Sequence, residues 1–104
     1  MTGTKILTLS VASAHLLLFV LSFVRTVSQG KTIFTREGCS NCHSFKGHGG
    51  ELAPDLTAVG DRRSTLWIMT QIRNPRSHNP DSRMPEFAHL SIIEQYAIAH
   101  FLMD

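Results

Sequence analysis

The stretch Cys39-Ser40-Asn41-Cys42-His43 contains both cysteines of this 104-residue sequence. On a helix, side chains three positions apart lie about one turn apart, because an α-helix has about 3.6 residues per turn. The imidazole of His43 comes directly after the second thiol. Two thiols and an imidazole, each able to bond a metal or an organic group, are therefore placed close together by the sequence alone.

The spacing Cys-x-x-Cys-His is typical of covalent attachment of a c-type haem. Each thiol can form a thioether bond to one vinyl group, and the adjacent imidazole can then reach the iron. Three alternatives are weaker. A redox-active dithiol does not require the histidine, and no βαβ pattern surrounds the motif. A structural zinc site needs four ligands, and the sequence has no second Cys-x-x-Cys. A disulfide between Cys39 and Cys42 would close a loop of only two residues and gain little entropy from closure. The motif predicts one haem c, bound through Cys39 and Cys42.

Composition narrows the remaining classes of protein. Hydrophobic residues make up 42% of the chain and charged residues 17%, which argues against a disordered chain. The formal net charge is only +2 and the basic residues are not clustered, so we expect no nucleic-acid partner. The part that follows the apolar N-terminal stretch is small for a self-sufficient core, and small domains often need a cofactor to complete one.

The N-terminal stretch, residues 6–24, carries no formally charged side chain. As a helix it would be roughly 28 Å long, close to the thickness of the hydrocarbon part of a bilayer. It therefore predicts a transmembrane helix in contact with membrane lipid. The alternative is a cleaved signal peptide, whose apolar region is usually about 7–15 residues long. His15 lies within the stretch, either as a functional group or as a neutral imidazole bonded locally.

We therefore divide the chain into a membrane anchor or uncleaved signal segment, residues 1–28, and a haem-binding domain, residues 29–104. The pair Gln29-Gly30 is the only candidate linker, so the anchor is expected to run almost directly into the domain. We expect a single-pass protein of the cell (inner) membrane with its haem domain on the periplasmic, outer face.

The domain is predicted to be all-α, because no stretch alternates for long as a strand does. A short helix over residues 31–37 should end at Gly38, and a second over residues 65–73 should begin at Ser64 and stop before Pro75. Between the helices, residues 44–63 and 74–90 are predicted to form irregular loops.

A final helix is predicted from the capping box Ser91-x-x-Glu94 to about Met103. Five apolar positions of this helix are expected to form one buried stripe: Ile92, Ile93, Tyr96, Ala97 and Phe101.

Taken in order, these features resemble the small class I cytochromes c over about residues 30–103. The matching positions are Phe34, Gly38, Cys39, Cys42, His43, residues 53–56, Gly60, Arg62, Asn74-Pro75, Met84-Pro85, Leu90-Ser91 and Glu94. The resemblance implies a helical domain wrapped around one haem. It also implies that His43 and Met84 are the two iron ligands, and that the Pro54 carbonyl accepts a hydrogen bond from the second ring nitrogen of His43.

The residues themselves also favour Met84 as the distal ligand. It lies on a predicted loop beside Pro85, where packing offers no reason for a methionine, whereas Met69 and Met103 lie on helices and fit core packing. His78 on the same loop is the main rival, and an open sixth position is the other alternative. Trp67 is expected near the haem edge or in the core.

A haem whose two axial positions are filled by protein has no room for a substrate. The sequence therefore predicts an electron-transfer protein rather than an enzyme, a carrier between membrane or periplasmic redox partners in a respiratory chain. One alternative is a haem c subunit of a larger quinol-oxidising or terminal-oxidase complex. The other is a gas sensor or peroxidase-like centre with an open sixth site.

Overall fold

The computed structural model describes residues 10–104, and the first part of the predicted membrane segment, residues 6–9, lies outside the described residues. The described part of the chain is mostly helical. In chain order its elements are α1 (Val11–Ser28), α2 (Gly30–Arg36), α3 (Cys39–Cys42), β1 (Ser44–Phe45), β2 (His48–Gly49), α4 (Val59–Arg62), α5 (Thr65–Arg73), a 3-10 turn (Pro75–Ser77) and α6 (Ile92–Leu102).

The core is built around α6, against which α1, α2 and α5 all pack. Its buried apolar side chains are Ile33, Phe34, Phe45, Val59, Ile68, Ile72, Leu90, Ala97, Ile98, Ala99 and Leu102. The last helix of the chain is therefore the element that holds the other three long helices in place.

The predicted stripe on α6 is only partly correct. Ala97 is fully buried, but Ile92 is 67% exposed, while Ile98 and Leu102, which the stripe omits, are buried. Because three helices contact α6, burial extends around the helix instead of following one face. Even Gln95 is buried, and its Nε2 donates to the backbone oxygen of Leu90 at 3.0 Å.

The junction between α1 and α2 consists of Gln29 alone, since α1 ends at Ser28 and α2 begins at Gly30. Gly30 is buried against α6, where a Cβ atom would collide with the backbone oxygen of Ala97 and lie 2.8 Å from Cβ of Phe101. The expectation that the apolar segment runs almost directly into the domain is confirmed, but Gly30 is a packing residue and not part of a linker.

The predicted helix ends agree with the structure. Ser64 Oγ accepts a hydrogen bond from the backbone N–H of Trp67 at 3.1 Å, and both hydrogen bonds of the Ser91–Glu94 capping box are present. Gly38 follows α2 with φ of 79°, a left-handed conformation that glycine adopts without steric cost.

The loops contain more structure than the sequence indicates. Residues 44–63 were expected to be irregular, but Ser44–Phe45 and His48–Gly49 pair as a short antiparallel hairpin, and α4 follows. Lys46 and Gly47, which connect the two strands, both have positive φ, as the type I′ turn of a two-residue hairpin requires. Strands of two residues are too short to produce an alternating pattern.

Helix α1 has many exposed apolar side chains, among them Leu16, Leu18 and Phe19, and none of its residues is buried. By length and composition it could cross a membrane, with a mean hydropathy of 1.7. Signal sequences near an N-terminus share this length and composition. Near its end it contacts α6, where the rings of Phe23 and Tyr96 stack with centroids 6.1 Å apart.

Candidate functional site

The two cysteines occupy the ends of α3, a single helical turn, as their spacing predicts. No disulfide joins them, and Cys39 is half-buried against the core whereas Cys42 is exposed. Burial of Cys39 raises the pKa of its thiol to about 11, because the thiolate would lose its hydration. The two sulfur atoms therefore lie on one turn of helix, directly before His43.

His43 follows α3 in an extended conformation, and its Nδ1 lies 2.7 Å from the backbone oxygen of Pro54. A carbonyl oxygen only accepts hydrogen bonds, so Nδ1 carries the hydrogen. In this tautomer the lone pair is on Nε2, which is the atom available to a metal. The hydrogen bond implied by the resemblance to class I cytochromes c is present.

The segment that carries Pro54 is bonded directly to the attachment turn. The backbone N–H of Gly50 donates to the oxygen of Ser40 at 2.9 Å, and that of Ala53 donates to the oxygen of Cys42 at 3.0 Å. A Cβ atom at Gly50 would collide with the backbone of residue 41, so only glycine allows this close approach. The acceptor of the histidine hydrogen bond is therefore fixed relative to the histidine.

A turn at Asp55 and Thr57 continues this support. The Asp55 carboxylate accepts hydrogen bonds from the backbone N–H of Thr57 at 2.9 Å and from its hydroxyl at 2.6 Å, and these bonds hold the pKa of Asp55 below its usual value. Thr57 Oγ1 in turn accepts from the backbone N–H of Lys46 at 2.9 Å. The segment after Pro54 is thereby joined to the hairpin.

Met84 lies half-buried on the long loop before α6. Its Sδ is 3.5 Å from Nε2 of Gln71, which can donate a hydrogen bond to the sulfur. Arg76 stabilises the same loop, because its guanidinium donates to the backbone oxygens of Ser82 and Met84 and pairs with the carboxylate of Glu86. These contacts fix both the main chain and the thioether of Met84.

His78, the rival ligand, has contacts of its own. Its ring stacks on Trp67 with centroids 4.1 Å apart and an angle of 1° between the planes, and its Nδ1 is 2.7 Å from Oε1 of Gln71. The guanidinium carbon of Arg63 also lies over the Trp67 ring, 4.3 Å from the centroid. Trp67 also packs against the hydrophobic core, which was one of the two positions expected for it.

Sequence reasoning missed Gln71 and Arg76 as site residues. Both lie near the end of α5 or in the turn after it, and the oxygen and sulfur atoms they contact belong to residues six or more positions further along the chain. Their side chains are common on exposed helix surfaces, so no local signal distinguishes them. Only the position of the Met84 loop in the fold shows what they bind.

The residues present fit haem c. Two cysteines on one helical turn, not joined by a disulfide, provide the attachment points, and the Nε2 lone pair of His43 provides a ligand atom next to them in the chain. The core is also edged by apolar side chains that it leaves only partly covered: Cys39, Leu56, Trp67, Met69, Phe87 and Phe101. A flat apolar group bonded to α3 would bury surface that this small core leaves exposed.

A family model described as cytochrome c matches residues 27–104, three quarters of the chain. Comparison with curated proteins and with solved structures gave no match. Proteins of this family transfer electrons and bind haem c covalently through cysteines, which in this sequence are Cys39 and Cys42. The chain, with one haem c attached through these two residues, belongs to the cytochrome c family.

Proposed function

We propose that the protein is a membrane-anchored monohaem cytochrome that carries single electrons between redox partners at the periplasmic face of the cell membrane, as part of a respiratory chain. The observation that carries this proposal is that two side chains suited to hold a haem iron are each supported by hydrogen bonds. His43 presents Nε2 because Nδ1 is bonded to Pro54, and Met84 presents a thioether on a loop fixed by Arg76.

In this proposal Nε2 of His43 and Sδ of Met84 would hold the iron of haem c. When bound, haem c supplies an iron that takes up and releases one electron. The hydrogen bond to Pro54 orients the imidazole and makes its other nitrogen, Nε2, a stronger electron-pair donor to a metal. A thioether favours ferrous iron, so the pair gives a higher potential than two histidines would. If both side chains hold the iron, no coordination site would be left for a substrate, and the chemistry that remains would be electron transfer.

Substitution of Met84 tests this assignment. In Met84→Ala we expect loss of the near-infrared band of methionine-bound ferric haem, a lower reduction potential, and binding of carbon monoxide to the reduced protein. The fold should persist, because both thioether bonds and His43 are unchanged. If the potential and the spectrum stay as in the wild type, Met84 is not the ligand, and His78→Ala is the variant to make next.

The membrane anchor in this proposal is supported by α1. Its apolar side chains are exposed over most of its length, and lipid around residues 6–24 would bury them. Intact mass measured on washed membranes and on the soluble fraction tests the anchor. A membrane-bound chain that retains residues 1–28 is expected, whereas a soluble chain beginning near Gln29 would show that the segment is a cleaved signal.

A second candidate is a haem c subunit of a larger quinol-oxidising or terminal-oxidase complex. One observation favours it: Gln29 alone separates α1 from α2, and α1 also packs on α6. A domain held in this way lacks a flexible tether with which to reach distant partners. Extraction in mild detergent followed by size analysis separates the two candidates, since a free carrier elutes alone and a subunit elutes with other chains.

A further inference from the structure

We propose that His78 is a positioning residue for Met84, and that it acts through the side-chain amide of Gln71. The proposal rests on the assignment of Met84 as the distal ligand. In it, His78 holds Oε1 of Gln71, so that the NH₂ group of the same amide faces the Met84 sulfur.

The two contacts of Gln71 require the same orientation of its amide. A thioether sulfur can only accept a hydrogen bond, so Nε2, at 3.5 Å, must face it. Oε1 then faces His78, and because oxygen is also only an acceptor, His78 Nδ1, at 2.7 Å, is the donor. Rotating the amide by half a turn would place oxygen against sulfur, two acceptors in contact. His78 therefore favours the orientation that the sulfur needs.

The position of His78 is itself restricted, although the residue is exposed. Its ring lies parallel to that of Trp67, with Arg63 over the same indole, and its backbone N–H donates to Pro75 at the 3-10 turn. Trp67 precedes Gln71 by four positions on α5, so the two side chains lie on the same face of the helix. Helix α5 thus provides both the surface on which His78 stacks and the amide that His78 holds.

The expected consequence is a higher reduction potential. A hydrogen bond to the sulfur withdraws electron density that the thioether would otherwise donate, and ferric iron needs this density more than ferrous iron does. Sulfur is a weak acceptor. We therefore expect loss of the bond to change the one-electron equilibrium about threefold, equivalent to about 28 mV at about 59 mV per tenfold change.

Three single variants of the full-length holoprotein and one double variant test the proposal by midpoint potential. Gln71→Met keeps the length of the side chain and removes the donor. His78→Phe keeps a ring to stack on Trp67 and removes the nitrogen. Both should lower the midpoint potential, Gln71→Met by about 28 mV, the equivalent of a threefold change in the one-electron equilibrium, and His78→Phe by no more than that. The potential of the double variant should be no lower than that of Gln71→Met. His48→Phe, an exposed histidine on β2, is the matched control and should leave the potential unchanged.

The near-infrared band of methionine-bound ferric haem, measured on the same samples, separates this proposal from the assignment on which it rests. If the band is present in the wild type and is lost in Met84→Ala, but His78→Phe leaves the potential unchanged, His78 has no positioning role. Additive shifts in the double variant would also overturn the proposal, since the two residues would then act independently. If the wild type lacks the band, the assignment of Met84 itself is wrong.

Discussion

Arg76 donates a hydrogen bond from Nη1 to the backbone oxygen of Met84 at 3.2 Å, so that an arginine side chain fixes the main chain of the proposed distal ligand. The same atom donates to the oxygen of Ser82 at 2.9 Å, and Nη2 pairs with Glu86 at 2.9 Å. The loop between the 3-10 turn and α6 has no regular secondary structure to hold it. Hydrogen bonds from one guanidinium therefore hold this main chain, as backbone hydrogen bonds hold a strand or a helix.

Replacing Arg76 should loosen the Met84 loop while most of the fold is retained. Hydrogen bonds from charged donors are worth about 1.5–3 kcal/mol each, and Arg76→Leu removes two of them to backbone oxygens. We expect a weaker near-infrared methionine band and faster binding of carbon monoxide to the reduced protein, both measured by absorption spectroscopy. Arg83→Leu, an exposed arginine on the same loop, is the control. An Arg76→Leu protein with the wild-type band and no carbon monoxide binding would contradict this role.

Adding one methyl group at Gly30 should weaken the contact between α2 and α6. The new Cβ would collide with the backbone oxygen of Ala97, and main chain cannot move aside as a flexible side chain can. Overpacking of this kind typically costs about 1–3 kcal/mol in the free energy of unfolding. We expect this loss for Gly30→Ala in denaturant titrations, against little change for Thr32→Ala on the exposed side of α2. Equal stability of the two variants would show that the helices can separate without cost.

The stability of the domain should fall in acid partly through Glu94. A hydrogen bond from the backbone N–H of Ser91, and then one from Arg36, holds the pKa of this carboxyl below its usual value. A lowered folded-state pKa means that the stabilisation is complete above the unfolded-state pKa, about 4.3, and is lost as pH falls through the folded-state value.

The variant Glu94→Gln tests this dependence, since an amide can still accept the bond from Ser91 but does not titrate. It should cost less than about 1 kcal/mol at pH 7, because the ion pair with Arg36 is partly exposed. Below pH 5, measured by denaturant titration at successive pH values, its stability should fall less steeply than that of the wild type. Glu51→Gln, an exposed glutamate, should follow the wild-type curve. Parallel curves for wild type and Glu94→Gln would rule out Glu94 as a contributor.

Both cysteines should be consumed in the mature protein. Acid-acetone extraction is expected to leave the haem on the polypeptide, and thiol reagents should label neither Cys39 nor Cys42. The absorbance of the extracted pellet and the mass of the treated chain measure these two results. Labelling at one position would mean attachment through a single thioether bond.

The features that could be predicted from the sequence are those whose physical cause is local. Ser64 and Ser91 cap helices because a hydroxyl reaches a backbone N–H three residues ahead, and both caps are present in the structure. The turn from Cys39 to Cys42 and the hydrogen bond from His43 to Pro54 were likewise expected, the second from the resemblance to class I cytochromes c.

What could not be predicted depends on contacts between distant parts of the chain. The exposure of Ile92 follows from where three other helices touch α6, which the pattern within α6 does not encode. Gln71 is likewise an ordinary helix residue until the fold brings Met84 and His78 to its two amide atoms. Which residues bind the iron is still a prediction, whereas the family and the covalent haem are established.

The contact between α2 and α6 also determines the order in which the domain can mature. Helix α2 lies at the start of the domain and α6 follows all its other helices, so the core cannot close until α6 has been synthesised. The thiols on α3 come directly after α2, so they precede α6 both in synthesis and in the proposed passage of the chain to the outer face of the membrane. During this interval they belong to an open chain, where an attachment enzyme could reach them without competing against the packed core. The difference in access is larger for Cys39, which the folded core half covers, than for Cys42, which stays exposed.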